Sequence, residues 1–204
     1  MNEIILVGGG GHAGSCLDVI ESTGLYKVAG LVTKDKTSTV ATLSGYPIIG
    51  EDKDLESLRG KYSYALVATG QIKSALLRIK LFNLLKSLEF KLPVIISPRS
   101  SISISSKISN GTIIMHDVLI NRNVKIGENC IINSKSLIEH DTLIEDHCHI
   151  STGVILNGGV IVGSESFIGS GVVTKESISI GRRCVIGAGA VIKSNIDHGS
   201  MIKK

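Results

Sequence analysis

The 204-residue chain has no tryptophan, three prolines and only 3% aromatic residues, so large rings cannot fill its core. Long apolar runs are also missing. The first, Ile4 to Val7, follows Glu3 and ends in glycines, far short of a signal peptide or of the ~20 residues that span a membrane. That predicts a cytoplasmic protein with no membrane partner. The net charge of +4 is spread over scattered lysines and arginines with no interleaved aromatics, which argues against a nucleic-acid face. None of the four cysteines forms a C-x-x-C pair. What the chain does have is aliphatic bulk: hydrophobic residues make up 43% and charged residues 20%, a balance that excludes a disordered chain.

The aliphatics change kind along the chain. Residues 1–101 hold 15 Leu and 9 Ile, whereas residues 102–204 hold 4 Leu and 21 Ile. Leucine favours helices and β-branched isoleucine favours pleated surfaces. The switch falls beside Pro93 and Pro98 and predicts two domains, 1–97 and 98–204.

The second half repeats every six residues. Stepping by six from Ile102 to Ile192 meets 16 positions, of which 15 are aliphatic and one, Thr174, is still β-branched. A helix needs a period near 3.6 and an ordinary half-buried strand a period of 2. A period of six means short strands separated by corners, three to an 18-residue triangular coil, with coils stacked as parallel sheets ~4.8 Å apart. Cys130, Cys148 and Cys184 share one place in different coils and read as a buried column of small side chains, with a metal or redox cluster as the sharper alternative. This run resembles the hexapeptide-repeat acyltransferases, and the resemblance implies a left-handed parallel β-helix that works as a homotrimer.

In the first half, Glu3 to Val7 reads as a strand running into Gly8-Gly9-Gly10-Gly11-His12-Ala13-Gly14, followed by a helix over Ser15 to Thr23. Strands at Val28 to Val32 and Tyr64 to Ala68 follow. A helix over Ser74 to Leu88 should present Leu76, Leu77, Leu81, Leu84, Leu85 and Leu88 on one face. Alternating strands and helices predict a small Rossmann-like parallel α/β domain. Gly9, Gly11 and Gly14 fit G-x-G-x-x-G, yet the second strand closes on Thr33-Lys34 before Asp35 rather than on the acid a nicotinamide site wants. The loop therefore serves a dinucleotide, the phosphate of another nucleotide ligand, or a plain tight turn.

Three of six histidines lie within His140–His149. His140 sits two residues after an in-pointing aliphatic, so it leaves the coil surface, but His116 shares that phase. Asp141 beside it can set its tautomer, and Gly158, 18 residues on, falls one coil above. A general base under a bare backbone amide suits acyl transfer, where an oxyanion develops beside the abstracted proton. His149 is half a coil from His140, so a site using both must cross a subunit interface. No histidine pair has the spacing of β-helical zinc enzymes, and no metal is expected.

End to end, the chain resembles the PglD/NeuD type of bacterial sugar acetyltransferase. The resemblance rests on the strand-GGGGHA loop, Val67-Ala68-Thr69-Gly70-Gln71, Ile132 to Asp141, His147 to Ser151 and the closing glycine hexads. It implies acetyl-CoA as co-substrate and a nucleotide-linked, UDP-type amino sugar as acceptor, in surface-glycan synthesis. His140 and Asp141 would be catalytic. His149 from a neighbouring subunit would line the acetyl site, and Gly158 would stabilise the oxyanion. Ser170, Gly187 and Ala188 would hold pantetheine. Gly10, Gly11, His12, Thr33 and Gly70 would bind the acceptor nucleotide. The ending Asn195 to Lys204 lacks the family's Gly-x-Pro-Ala. O-acetylation of a sialic acid-like sugar uses the same parts, and a non-catalytic scaffold is the alternative of another class.

Overall fold

A computed structural model describes residues 1–34, 42–43 and 45–203; Asp35 lies outside the described residues. Strands β1 (Asn2–Val7), β2 (Tyr26–Thr33), β3 (Thr42–Leu43), β4 (Tyr46–Glu51) and β5 (Tyr64–Val67) form one sheet in the order β3-β4-β2-β1-β5. β1 pairs parallel with β2 and β5, β2 parallel with β4, and β3 antiparallel with β4. Alternation along β1 decides the layers. Ile4 and Leu6 pack with α1 (Gly11–Thr23), whereas Ile5 and Val7 pack with α2 (Leu55–Arg59) and α3 (Leu76–Ser87). With helices on both faces, the domain is a small parallel α/β layer structure.

Two local readings change. α1 begins at Gly11 rather than Ser15, because Gly10 is its extended N-cap and the end of the glycine loop is already helical. Its other end is as expected, with Gly24 in the left-handed conformation at φ 63°. In α3 the buried stripe is Arg78, Leu81, Phe82 and Leu85, spaced i, i+3, i+4 and i+7, while Leu76 and Leu77 are 70% and 52% exposed. They precede Arg78 by two residues and one, roughly 200° and 100° round the helix, so the stripe that packs inward turns them out.

From Ile95 onward the chain winds as a parallel β-helix of two-residue strands. A first face carries six strands, from Ser101–Ile102 to Val191–Ile192; a second carries five, from Lys107–Ile108 to Ser179–Ile180; a third carries seven, from Ile95–Ile96 to Met201–Ile202. Registers such as Leu119↔Leu137 and Ile120↔Ile138 are 18 residues apart, the coil length read from the hexad period. The six-step column from Ile114 to Ile192 is buried along the axis, and Cys130, Cys148 and Cys184 lie fully buried within the same core. Most hexads place one corner residue in the left-handed conformation, among them Asp117, Asn123, Asn129, Asp141 and Gly159. Asn, Asp and Gly tolerate that conformation best.

The two halves are packed together. Outward residues of the third face, Ile95, Ile113 and Ile131, join the apolar cluster beneath α1.

Candidate active site

The candidate catalytic pair lies at the edge between the first and second faces. His140 follows the strand Leu137–Ile138, and Asp141 takes the left-handed corner at φ 61°. That corner turns the carboxylate back onto its neighbour, and His140 Nδ1–H donates to Asp141 Oδ2 at 2.9 Å. From the same corner one coil below, Asn123 Nδ2 donates to Asp141 Oδ1 at 3.1 Å. These bonds, to His140 first and Asn123 second, hold the Asp141 carboxyl below its usual range. With Nδ1 so occupied, His140 presents Nε2 as the proton acceptor.

Gly158 completes the pair. A Cβ placed on it would lie 2.7 Å from both Cε1 and Nε2 of His140, so the ring occupies the space of the missing side chain. The neighbouring Gly159 N–H donates to the His140 carbonyl at 2.9 Å. Among the described residues the Gly158 N–H has no backbone partner. The His140 ring and Gly158 therefore stand side by side.

A second group gathers at the carboxyl ends of β1, β2 and β5. Gly8 N–H donates to the Val32 carbonyl at 2.8 Å, and Gly9 packs so closely on Thr33 that a Cβ there would lie 2.6 Å from its methyl. Gly10 and Gly11 face open space at the start of α1, where an added Cβ would meet nothing within 4 Å. Gly70 lies against His12. Gly10, Gly11, His12, Thr33 and Gly70 thus share one rim where helix N–H groups point outward.

Beside the glycine rim, where the N-terminal domain meets the third face, lies a buried polar seam. His149 continues the outward column of the third face, paired with Ile131 below and Phe167 above, but the docked N-terminal domain leaves it only 7% exposed. Its Nδ1–H donates to the Gln71 carbonyl at 2.6 Å, and its ring centre is 6.4 Å from that of His12. Arg78 is buried nearby. Burial, then Arg78, then His149 bring the His12 pKa down to about 3. Burial brings His149 to about 4, against the raising effect of its bond to Gln71 and with a further lowering from Arg78. Burial pushes the Cys16 thiol, in contact with His12 Nε2, up to about 12 and leaves it inert as a nucleophile.

Both histidines stay neutral when folded but take up protons near pH 6.5 when unfolded, so the unfolded chain binds more protons between pH 6.5 and about 4. Stability should fall as pH drops through that window. Calorimetry should show Tm declining with a slope that His149→Phe reduces; a flat profile would contradict neutral, buried histidines.

The profile of the PglD N-terminal domain matches residues 3–84, and two hexapeptide-repeat profiles, bacterial transferase hexapeptide (six repeats) and hexapeptide repeat of succinyl-transferase, match residues 105–140 and 159–194. A comparison with curated protein sequences gives no match. Among solved structures, the acetyltransferase domain of PglB from Neisseria gonorrhoeae is 29% identical with a TM-score of 0.90, covering 98% of this chain and 96% of that one. PerB from Caulobacter crescentus, in complex with CoA and GDP-perosamine, is 30% identical with a TM-score of 0.89, over 98% of this chain and 93% of its own. The chain belongs to the PglD/NeuD-type family of sugar acetyltransferases. Its coil is accordingly the left-handed β-helix of hexapeptide-repeat enzymes.

For a PglD/NeuD-type chain the remaining candidates are divided. Ser170, Gly187 and Ala188 lie on the edge between the third and first faces, where Ser170 Oγ is 2.8 Å from Ser151 Oγ and Gly169 packs on the Ala188 backbone. His140 and Gly158 occupy the next edge, so one chain does not bring the two sets together. The structure also adds Arg78, Asn123 and Gln71, none of which the sequence pattern singled out as site residues. Arg78 left a signal, a lone cation in phase with Leu81, Phe82 and Leu85. Asn123 left one too, standing 18 residues before Asp141.

Proposed function

We propose that this enzyme transfers acetyl from acetyl-CoA to the amino group of a nucleotide-activated sugar, with His140 as general base. The observation that carries the reading is the His140 ring resting on Gly158 with its Nδ1 tied to Asp141. The sugar amine, once neutral, attacks the thioester carbonyl carbon, and His140 Nε2 takes the proton released as the C–N bond forms. The Gly158 N–H stabilises the oxyanion. Collapse breaks the C–S bond, and the CoA thiolate receives the proton from His140. No enzyme thiol is acylated.

A complete site takes two subunits. Above Ser101 the outward column of the first face is aliphatic, Leu119, Leu137, Ile155, Val173 and Val191, with Leu119 and Val191 exposed. Three prisms packed with this face toward a common axis bury that column and set one subunit's His140 edge beside the next subunit's Ser170–Ala188 edge. Ser170, Gly187 and Ala188 then hold pantetheine, and His149 lines the acetyl end. Gly10, Gly11, His12, Thr33 and Gly70 hold the acceptor nucleotide. We take that nucleotide to be uridine, as the resemblance implies; the Caulobacter relative is seen with GDP-perosamine. Variants of that relative with a histidine replaced by asparagine or alanine are also seen in complex with CoA and GDP-perosamine.

The test is acetyl-CoA-dependent thiol release with a UDP-linked 4-amino-sugar, GDP-perosamine and CMP-sialic acid in parallel. Turnover on the UDP sugar supports the whole reading. Turnover only on GDP-perosamine corrects the base, and turnover only on the sialic acid replaces N- by O-acetylation. Silence on all three rejects it.

A further inference from the structure

The one interruption of the aliphatic column, Thr174, sits directly over the site. It is buried, 1% exposed, in a column where a hydroxyl brings no packing advantage. On other coils of the first face the residue after the strand donates its N–H to the backbone carbonyl 17 residues on: Ser103 to Ile120, Asn121 to Ile138, Glu139 to Leu156 and Lys175 to Ile192, at 2.7–2.9 Å. The next rung after Glu139 would join Asn157 to the Thr174 carbonyl, and it is replaced. Asn157 N–H donates instead to the Thr174 hydroxyl at 3.0 Å, and the Asn157 side-chain amide donates to the Thr174 carbonyl at 2.7 Å. The strand pairing shows the same gap, since Ile155↔Val173 is the single register pair between those two strands. A backbone rung has been opened by two side chains, and the residue that follows it is Gly158.

We infer that Thr174 and Asn157 are positioning residues, which take the Asn157 N–H out of the regular ladder and so set the backbone leading into Gly158 against the His140 ring. The inference rests on the proposed acetyl transfer for its kinetic meaning, but the wedge itself is a matter of backbone geometry. An aliphatic residue at 174 would remove the hydroxyl acceptor and favour the ordinary rung. Gly158 would then be drawn toward the coil axis, away from the place where an oxyanion develops.

Two substitutions in the full chain separate this role from packing. Thr174→Val fills the column as its neighbours do, so Tm should hold or rise, while kcat falls about tenfold with KM for acetyl-CoA unchanged. Thr174→Ser keeps the hydroxyl and loses a buried methyl, so Tm should fall while kcat stays near wild type. A Thr174→Val enzyme with wild-type kcat overturns the inference, and so does equal loss of kcat in both variants. If the wild-type chain turns over none of the acceptors, the acetyl-transfer reading has failed, and a crystal structure of Thr174→Val still decides the geometry. A regular rung from Asn157 N–H to the backbone carbonyl at position 174, with Gly158 displaced, supports the wedge; an unmoved Gly158 refutes it.

Discussion

His140→Ala should lose about 10²–10⁴-fold in kcat, the range a positioned general base supplies, and keep its affinity for acetyl-CoA. The reason is geometric. Nδ1 is committed to Asp141 and Nε2 stands over Gly158, so in the proposed mechanism the imidazole serves the reacting proton rather than either substrate's body. Its side chain is 63% exposed and, among the described residues, bonds only its neighbour, so its removal should move Tm by about 2 °C at most. Steady-state kinetics with calorimetry check the prediction. A raised KM with unchanged kcat would make His140 a binding residue, and near-normal turnover would remove it from the mechanism.

The largest effect on stability should come from Arg78→Ala. Arg78 is 1% exposed, and burial lowers its pKa to about 10, which leaves it charged at neutral pH. Its Nη1 donates to the carbonyls of Val67 and Thr69, and its Nη2 to the carbonyl and side-chain oxygen of Asn129, at 2.7–3.0 Å for the latter pair. One guanidinium thus ties the end of β5 to the β-helix. Removing it strands four acceptors and leaves a cavity, at a cost of about 3–5 kcal/mol. For a chain of this size that lowers Tm by roughly 10 °C. Arg78→Lys keeps a charge but not the fork, and should recover only part of the loss. An unchanged Tm in Arg78→Ala would show that the domains are held together elsewhere.

How much of this was legible in the sequence follows from the range of the interactions. The hexad column states a coil length of 18, and that number alone places Gly158 over His140, because stacked coils repeat their register. The same arithmetic sends His149 to a different face. It cannot tell which face another domain will cover, so His149 reads as an outward residue although docking against Ile113, Ile131 and α1 buries the seam around it. Arg78 was hidden for a similar reason: six leucines suggested one face of α3, whereas packing on both the sheet and the β-helix selected the stripe that contains the arginine. Thr174 was visible as an exception. Its meaning lay in a missing backbone rung, which no side-chain pattern encodes.

The most direct test of a base-and-amide site shared between subunits is a crystal structure of the His140→Ala chain with CoA and the nucleotide amino sugar that the wild type acetylates. The sugar amine should lie in the space vacated by the imidazole, beside the Gly158 N–H. Pantetheine should run along the neighbouring subunit's Ser170–Ala188 edge, and the nucleotide should rest on Gly10, Gly11 and His12. An amine bound away from Gly158, or a site completed within one chain, would contradict that mechanism.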